Sequence, residues 1–327
     1  MAQTLFWDSD GVTPGTTNIR NTWDYSGSRP WWSTSSAGDV ATQAWTSGAT
    51  AVFSAGSNAT GYQLVDIGQG VNVAAISVEE GDIELWGAFY SGYFYDLSSF
   101  NVASGATAIL DATMRESGGA VNFTKTGPGT LTVRAPNQMT GSFTVSGGTT
   151  NISSVGNLSS GTLTVNNGAT LANSGILELN NRTVNVTGSG STLSSVNFIE
   201  FGDVGNVTVN LTSGGTISSQ SSVALGVNSG VTGTATISGS GSTLSSGAQL
   251  HVGYYGTGNL TVESGGRVTP GTILELGAYA GATGTVNLNS GGTLAVGGTN
   301  GIVKGAGTAN LNLGGGTIEV TGSALTT

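Results

Sequence analysis

The chain has no cysteine among its 327 residues, which excludes disulfides, thiolate metal ligands and a thiol nucleophile. Basic residues are scarce: 8 lysines and arginines face 18 acidic residues, for a net charge of −10, and they lie scattered from Arg20 to Lys304. Binding a phosphate backbone requires clustered positive charge, so no nucleic-acid partner is expected. No apolar run of roughly eighteen residues occurs, so no transmembrane helix is expected. Met1 is followed by AQTLFWD, which has neither the basic segment nor the apolar stretch of a signal peptide. A mature secreted chain whose presequence was replaced by a methionine is favoured over a cytosolic one, for reasons that come from the repeats.

Glycine is abundant, at 56 residues, while only 8% of the chain is charged. This composition is unlike that of an ordinary globular enzyme. The 37% of hydrophobic residues fall largely in alternating positions, which argues for a packed core and against a disordered linker.

Phrases of one type, TVNV, VTVNL, TATI, NLTV, TVNL and NLNL, begin at Thr183, Val207, Thr234, Asn259, Thr285 and Asn310. Successive starts are separated by about 25 residues, and a steady period in this range signals a solenoid. Within one unit, NLTVESGG places Leu260 and Val262 on one face of a strand and Thr261 and Glu263 on the other. Corners follow at SGG or GSGSTL, and a second short strand turns Ile217, Val268, Leu294 or Ile318 inward. A third strand reads apolar-x-apolar-Gly: IEFG from Ile199, VALG from Val223, LHVG from Leu250 and LELG from Leu274, its glycine at the next corner. Three strands and three corners in about 25 residues predict an all-β fold, a parallel and right-handed β-helix whose coils satisfy their backbone groups on their neighbours. Roughly eight such coils are expected from Ala120 onward.

The stretch VNFTKTGPGTLTVRAPNQMTGSFTVSGGTTNI from Val121 resembles the autotransporter-associated β-strand repeat of bacterial secreted proteins. Phe123, Lys125, Gly127, Gly129, Thr130, Leu131, Val133, Thr140, Gly141, Val145, Gly147 and Gly148 carry the match. The later units, with GSGSTL, HVGYYGTGNLTVESGGRV and LGAYAGATGTVNL, resemble companion repeats in passenger regions of the same proteins, so the resemblance covers about two thirds of the chain. It implies a bacterial extracellular or cell-surface location. In that family a carboxy-terminal outer-membrane barrel often follows the passenger. Nothing after Thr327 supplies one, and a released passenger or an end-to-end stacking subunit is expected.

Two regions are therefore distinguished: residues 1–119, a tryptophan-rich cap with early coils, and residues 120–327, the repeat solenoid. All six tryptophans lie in the first. The open end of a solenoid exposes strand edges and apolar core, so a cap is the expected use of these rings, with carbohydrate stacking as the alternative. GDIELWGAFYSGYFY, from Gly81 to Tyr95, lacks a clear period; it is expected to belong to early coils and to project its aromatics outward from a loop or, equally, to build a second core layer.

Chemistry-bearing residues are few. Glu80, Asp82 and Glu84 would share one strand face, and glycosidic cleavage needs two carboxyls about 5 to 9.5 Å apart, but a solvated acidic face is the commoner outcome. Glu80, Asp82, Glu84, Tyr90 and Tyr93 are candidate glycan contacts. DSDG at Asp8 resembles the start of a calcium loop, yet Ile19 stands where the bidentate glutamate is required, so no cofactor or metal is expected and calcium is the alternative. His251, the only histidine, is expected to point outward in one column with Glu200, Ala224 and Glu275, making an exposed ion pair with Glu275. No nucleophile elbow surrounds it. The Asn-x-Ser/Thr triplets are read as outward polar positions and not as glycosylation sites.

A non-enzymatic, extracellular structural solenoid is the expectation, self-associating head to tail into filaments through Phe6, Trp7, Trp23, Trp31 and Trp32 at one end and Thr317, Ile318, Val320 and Leu325 at the other. A monomeric passenger adhesin that binds a cell-surface glycan or a host surface and a polysaccharide-degrading β-helix enzyme are the alternatives. Release of reducing ends from a glycan, lost on substitution of Glu80 and Asp82, would mark the enzyme.

Overall fold

The computed structural model describes residues 3–16, 20–23, 29–87, 92–153, 156, 158, 161–297 and 301–321. The chain is an all-β parallel solenoid of about 24 residues per turn, with no helix among the described residues. It divides into two compact units, residues 1–152 with 156–160 and residues 153–155 with 161–327.

The second unit is the more regular. Its first face runs from Leu163–Val165 through Arg182–Thr187, Val207–Thr212, Thr232–Ser238, Thr257–Glu263 and Thr283–Asn289 to Thr308–Gly314, each strand hydrogen-bonded in parallel to the next. The second face runs from Thr170–Asn173 to Thr317–Val320 and the third from Leu177–Leu179 to Ile302–Lys304. Parallel register stacks like on like. Leu163, Val184, Val209, Ala235, Leu260, Val286 and Leu311 form one inward column. Leu171, Leu193, Ile217, Leu244, Val268, Leu294 and Ile318 form another.

The register corrects one alignment read from the sequence. Thr183 pairs with Thr208, not with Val207. The phrase VTVNL carries an extra inward residue at its start, since Val207, Val209 and Leu211 are all buried. A one-residue slip would turn Val184 and Val186 out of the core, which is why burial fixes the pairing.

Corners are set by glycine where the chain needs it. Gly226, Gly253 and Gly277 end third-face strands at positive φ, and a Cβ on any of them would collide with a backbone carbonyl of the following turn, that of Thr257, Thr283 or Thr308. At two of the SGG corners the serine itself, Ser213 or Ser264, also adopts positive φ. Inward serines and an asparagine bend the second-to-third corner. Asn173 Nδ2 and Ser195 Oγ both donate to the Gly175 carbonyl, at 2.6 and 2.8 Å, and Ser219 Oγ donates to Asn197 O at 2.7 Å.

In the first unit the same three faces start more irregularly. Trp32–Ser33 runs antiparallel to Thr4–Trp7, which in turn pairs in parallel with Thr50–Phe53. Asp82–Trp86 lies between Tyr62–Ile67 and Thr107–Leu110, and Tyr93–Tyr95 between Gly70–Asn72 and Thr113–Arg115. The described part of the aromatic stretch from Gly81 to Tyr95 is therefore strand and not loop: Ile83, Leu85 and Phe94 point inward and are buried, while Trp86, Tyr93 and Tyr95 point outward and are half-buried.

Turn length changes at the segment that resembles the autotransporter-associated repeat. Ser99 pairs with Thr124 across a turn of ordinary length, whereas the next turn, in which Phe123 pairs with Phe143, is distinctly shorter. Lys125 occupies an inward position in this turn, fully buried, and its ammonium donates to the carbonyls of Gly127, Gly129 and Gly147 at 2.7, 2.6 and 2.8 Å. This contact explains the motif. The lysine reaches two successive corners at once, and a Cβ on Gly148 would come within 2.6 Å of its Nζ.

Burial pushes the Lys125 ammonium down to about 8 from the ordinary lysine value of 10.5. Lys125→Met should lower stability by about 3 kcal/mol at pH 7, because three buried carbonyls lose their donor. The folded state releases this proton more readily than the unfolded state, so the wild type should gain on Lys125→Met as pH rises from 8 towards 10.5. Paired urea titrations across that range check both the size and the sign.

Candidate functional site

The acidic strand Asp82–Trp86 does present Asp82 and Glu84 on one outward face. Glu80 does not join them. Its carboxylate reaches back to the preceding turn, accepting from Ser54 Oγ at 2.9 Å and from the Ala59 N–H at 3.0 Å. Asp82 accepts from Thr107 Oγ1 at 2.5 Å, and Glu84 accepts from the Tyr62 hydroxyl, a contact that pushes the Tyr62 phenol up to about 12. Tyr93 lies over Gly70, with the Arg115 guanidinium 4.1 Å from its ring centre. Tyr90 lies outside the described residues.

Parallel register builds a second group here. Asp66 pairs with Trp86, the Asp111 N–H bonds to Leu85 O, and the Arg134 N–H bonds to Leu110 O. Asp66, Trp86, Asp111 and Arg134 thus occupy one outward column on four successive turns. Arg134 Nη1 lies 3.5 Å from Asp111 Oδ2 and 3.7 Å from Glu84 Oε1. Burial raises the Asp111 carboxyl above its ordinary value, and the neighbouring Glu84 adds to this, while Arg134 pulls the other way. Around the column opens a cavity of about 370 Å³ lined by Trp86, Asp111, Thr113, Arg134 and Pro136, with Gly87 and Gly92 contributing backbone only. Asp111 and Arg134 are missed by sequence reasoning, since only the turn length brings them beside Glu84.

Trp7, Trp23, Trp32 and Trp45 fill the interior at the start of the first unit. Trp7, Trp23 and Trp32 are each 1% exposed, and ring centres lie 4.7 to 5.2 Å apart between Trp32 and each of Trp7, Trp23 and Trp45. Of the residues read as self-association candidates at this end, Phe6 and Trp31 are half-buried and the other three are covered by the chain itself. The last described turn is different. Ile318 and Val320 are 36% and 47% exposed, and Leu311 and Leu313, in columns otherwise buried, are 37% and 64% exposed. Thr317 is exposed beside them, and Leu325 lies outside the described residues.

Asp8 is buried, with its Oδ1 accepting the N–H groups of Asp10 and Gly11 at 3.2 Å. Burial pushes its carboxyl up to about 6. The DSDG stretch therefore closes its own turn. Ile19 lies outside the described residues, and no group of three potential metal ligands occurs among the described ones.

His251 stands in the expected column, between Ala224 and Glu275. It is not exposed: it is 5% accessible, with the Tyr254 ring 4.8 Å away edge-on. The difference arises from the loop Gly253–Gly256, which folds its tyrosines over the column. Tyr255 and Tyr279 stack at 4.1 Å, and Tyr254 meets both nearly at right angles. His251 Nδ1 lies 2.8 Å from Glu275 Oε2. Burial holds the imidazole below its ordinary value even though Glu275 pulls it upward, and Nδ1 is the ring nitrogen placed to donate to the Glu275 carboxyl.

No protein family, curated protein or solved structure matches the chain. Among the described residues no helix is long and apolar enough to cross a membrane.

As the only histidine, His251 gives a single imidazole resonance, and its NMR titration midpoint should fall below 6.5 in the folded protein. A depressed midpoint makes folding stability complete above 6.5 and lost progressively as pH falls through the folded value. Glu275→Gln should move the midpoint further down; an upward move would contradict this balance of burial and charge.

Proposed function

We propose that the chain is a non-enzymatic structural solenoid of a bacterial surface or matrix, extracellular, which joins to a second copy of itself through its last described turn. The exposed inward positions Leu311, Leu313, Ile318 and Val320 carry this reading. In the turns before it, the same positions are covered by the next turn, and they are apolar because they are built to be covered.

Among the described residues the first two faces of this edge carry little of the usual protection, and the third ends in an exposed Lys304. Strand edges are commonly guarded by charge, proline or a covering segment. Thr308–Gly314 contains neither a charged residue nor proline. The one charge on Thr317–Val320, Glu319, is held by both guanidinium nitrogens of Arg267, at 2.7 and 3.1 Å. At the start of the first unit Trp32–Ser33 and Gln43 continue the first face in antiparallel fashion, and Trp7, Trp23, Trp32 and Trp45 are spent on the core. Two copies that meet by this same turn pair like edges about a two-fold axis, and the buried tryptophans at the start of the first unit favour this over head-to-tail addition.

The outward surface fits a structural role. Asn210 donates to Asn185 at 2.9 Å and Asn312 to Asn287 at 2.8 Å, so side-chain ladders tie adjoining turns outside as the aliphatic columns do inside. The resemblance to autotransporter-associated repeats supports the bacterial extracellular setting.

Sedimentation equilibrium should show a species of twice the 32.4 kDa chain mass, reduced to monomer by Leu313→Lys with Val320→Lys. Wild-type protein that stays monomeric at every concentration would overturn the association, and open filaments in electron micrographs would overturn the two-fold geometry.

A further inference from the structure

The cavity beside Trp86 has no part in that association, and its chemistry is specific. We propose that it is a binding site for an uncharged pyranose sugar unit, stacked on the Trp86 indole and hydrogen-bonded by Asp111, Thr113 and Arg134.

Size comes first. Sites for small molecules span roughly 300–1,000 Å³, and at about 370 Å³ this one falls at the lower end, suited to one or two sugar rings. Its lining is amphipathic in the way a pyranose is. The indole and Pro136 offer apolar surface to the C–H face of a sugar ring. Around them stand a carboxylate that only accepts, a guanidinium that only donates and a hydroxyl that does either. Vicinal sugar hydroxyls, each donor and acceptor together, match such a mixed rim better than a phosphate or a simple cation does.

Charge then selects among sugars. Among the described residues one guanidinium, Arg134, faces the two carboxylates of Asp111 and Glu84. Two carboxylates to one guanidinium among the described residues, in a chain of net charge −10, disfavour uronates and sulfated or phosphorylated glycans. Arg134 beside the indole disfavours a quaternary ammonium ion, which would otherwise suit an aromatic face.

Preorganisation supports the assignment. Trp86, Asp111 and Arg134 are fixed to three adjoining strands by parallel backbone hydrogen bonds, and Arg134 is braced between Asp111 and Glu84. Groups held this way lose little freedom on binding.

The test uses the whole chain and the methyl β-pyranosides of glucose, galactose and N-acetylglucosamine, with glucuronate as the acidic control. Saturation-transfer NMR should show contact with at least one neutral pyranoside, and isothermal titration should give saturable binding. Trp86→Ala should weaken that binding by about tenfold or more, with Trp86→Phe recovering part of it, and Asp111→Asn should weaken it while the thermal melt stays close to that of the wild type. Absence of binding by every neutral pyranoside would overturn the proposal. So would binding that survives Trp86→Ala in a folded protein, or a preference for glucuronate.

Discussion

Backbone hydrogen bonding between turns is the constraint on which the rest depends. A strand of three or four residues is too short to be stable alone, and in this fold it can satisfy its N–H and C=O groups only on the turn before and the turn after. Parallel pairing then fixes register, and register turns sequence periodicity into columns. Inward columns become aliphatic stacks such as that from Leu163 to Leu311, and outward columns become asparagine and threonine ladders. The same rule has costs. Glu178 pairs with Glu200, and burial together with that neighbour raises the Glu200 carboxyl, because a column repeats charge as readily as it repeats leucine.

Polar groups inside the solenoid follow from the same constraint. Where a turn shortens, as between Phe123 and Phe143, corner carbonyls converge on the interior, and Lys125 answers three of them with one ammonium. Ser195, Ser219 and Asn173 do the neutral version of this at other corners. Each is a local exception to an apolar interior, and each donates to a backbone oxygen, although Asn173 Oδ1 is buried without a partner.

The architecture is legible in the sequence because its signals are local. Alternation in NLTVESGG and the glycine of LHVG depend on neighbours in the chain, and Gly253 sits where the pattern places it. What escapes depends on neighbours across turns. The pairing of Thr183 is misread by one position because only burial of Val207 reveals the added inward residue. Aromatic content hides the strand pattern around Ile83 and Phe94, whose partners lie about a turn away. The column of His251 is readable, but its covering is not, since that comes from how Tyr254 folds back over it. The Trp86 cavity is the least accessible. Beside it only the neighbouring Glu84 stands out in the sequence, because Asp111 and Arg134 come alongside only once register sets the lengths of the two turns between them and Trp86.

The close approach of Gly226, Gly253 and Gly277 to the carbonyl of the succeeding turn has an evolutionary corollary. Because each glycine is matched to the backbone above it and not to a particular side chain, a tandem duplication of one complete turn, corner included, leaves every contact intact. Deleting or inserting a handful of residues within a strand breaks all the columns at once. Such a gene can lengthen or contract in whole-turn increments while drifting freely at outward positions, so variation in repeat number is the change this architecture tolerates most readily.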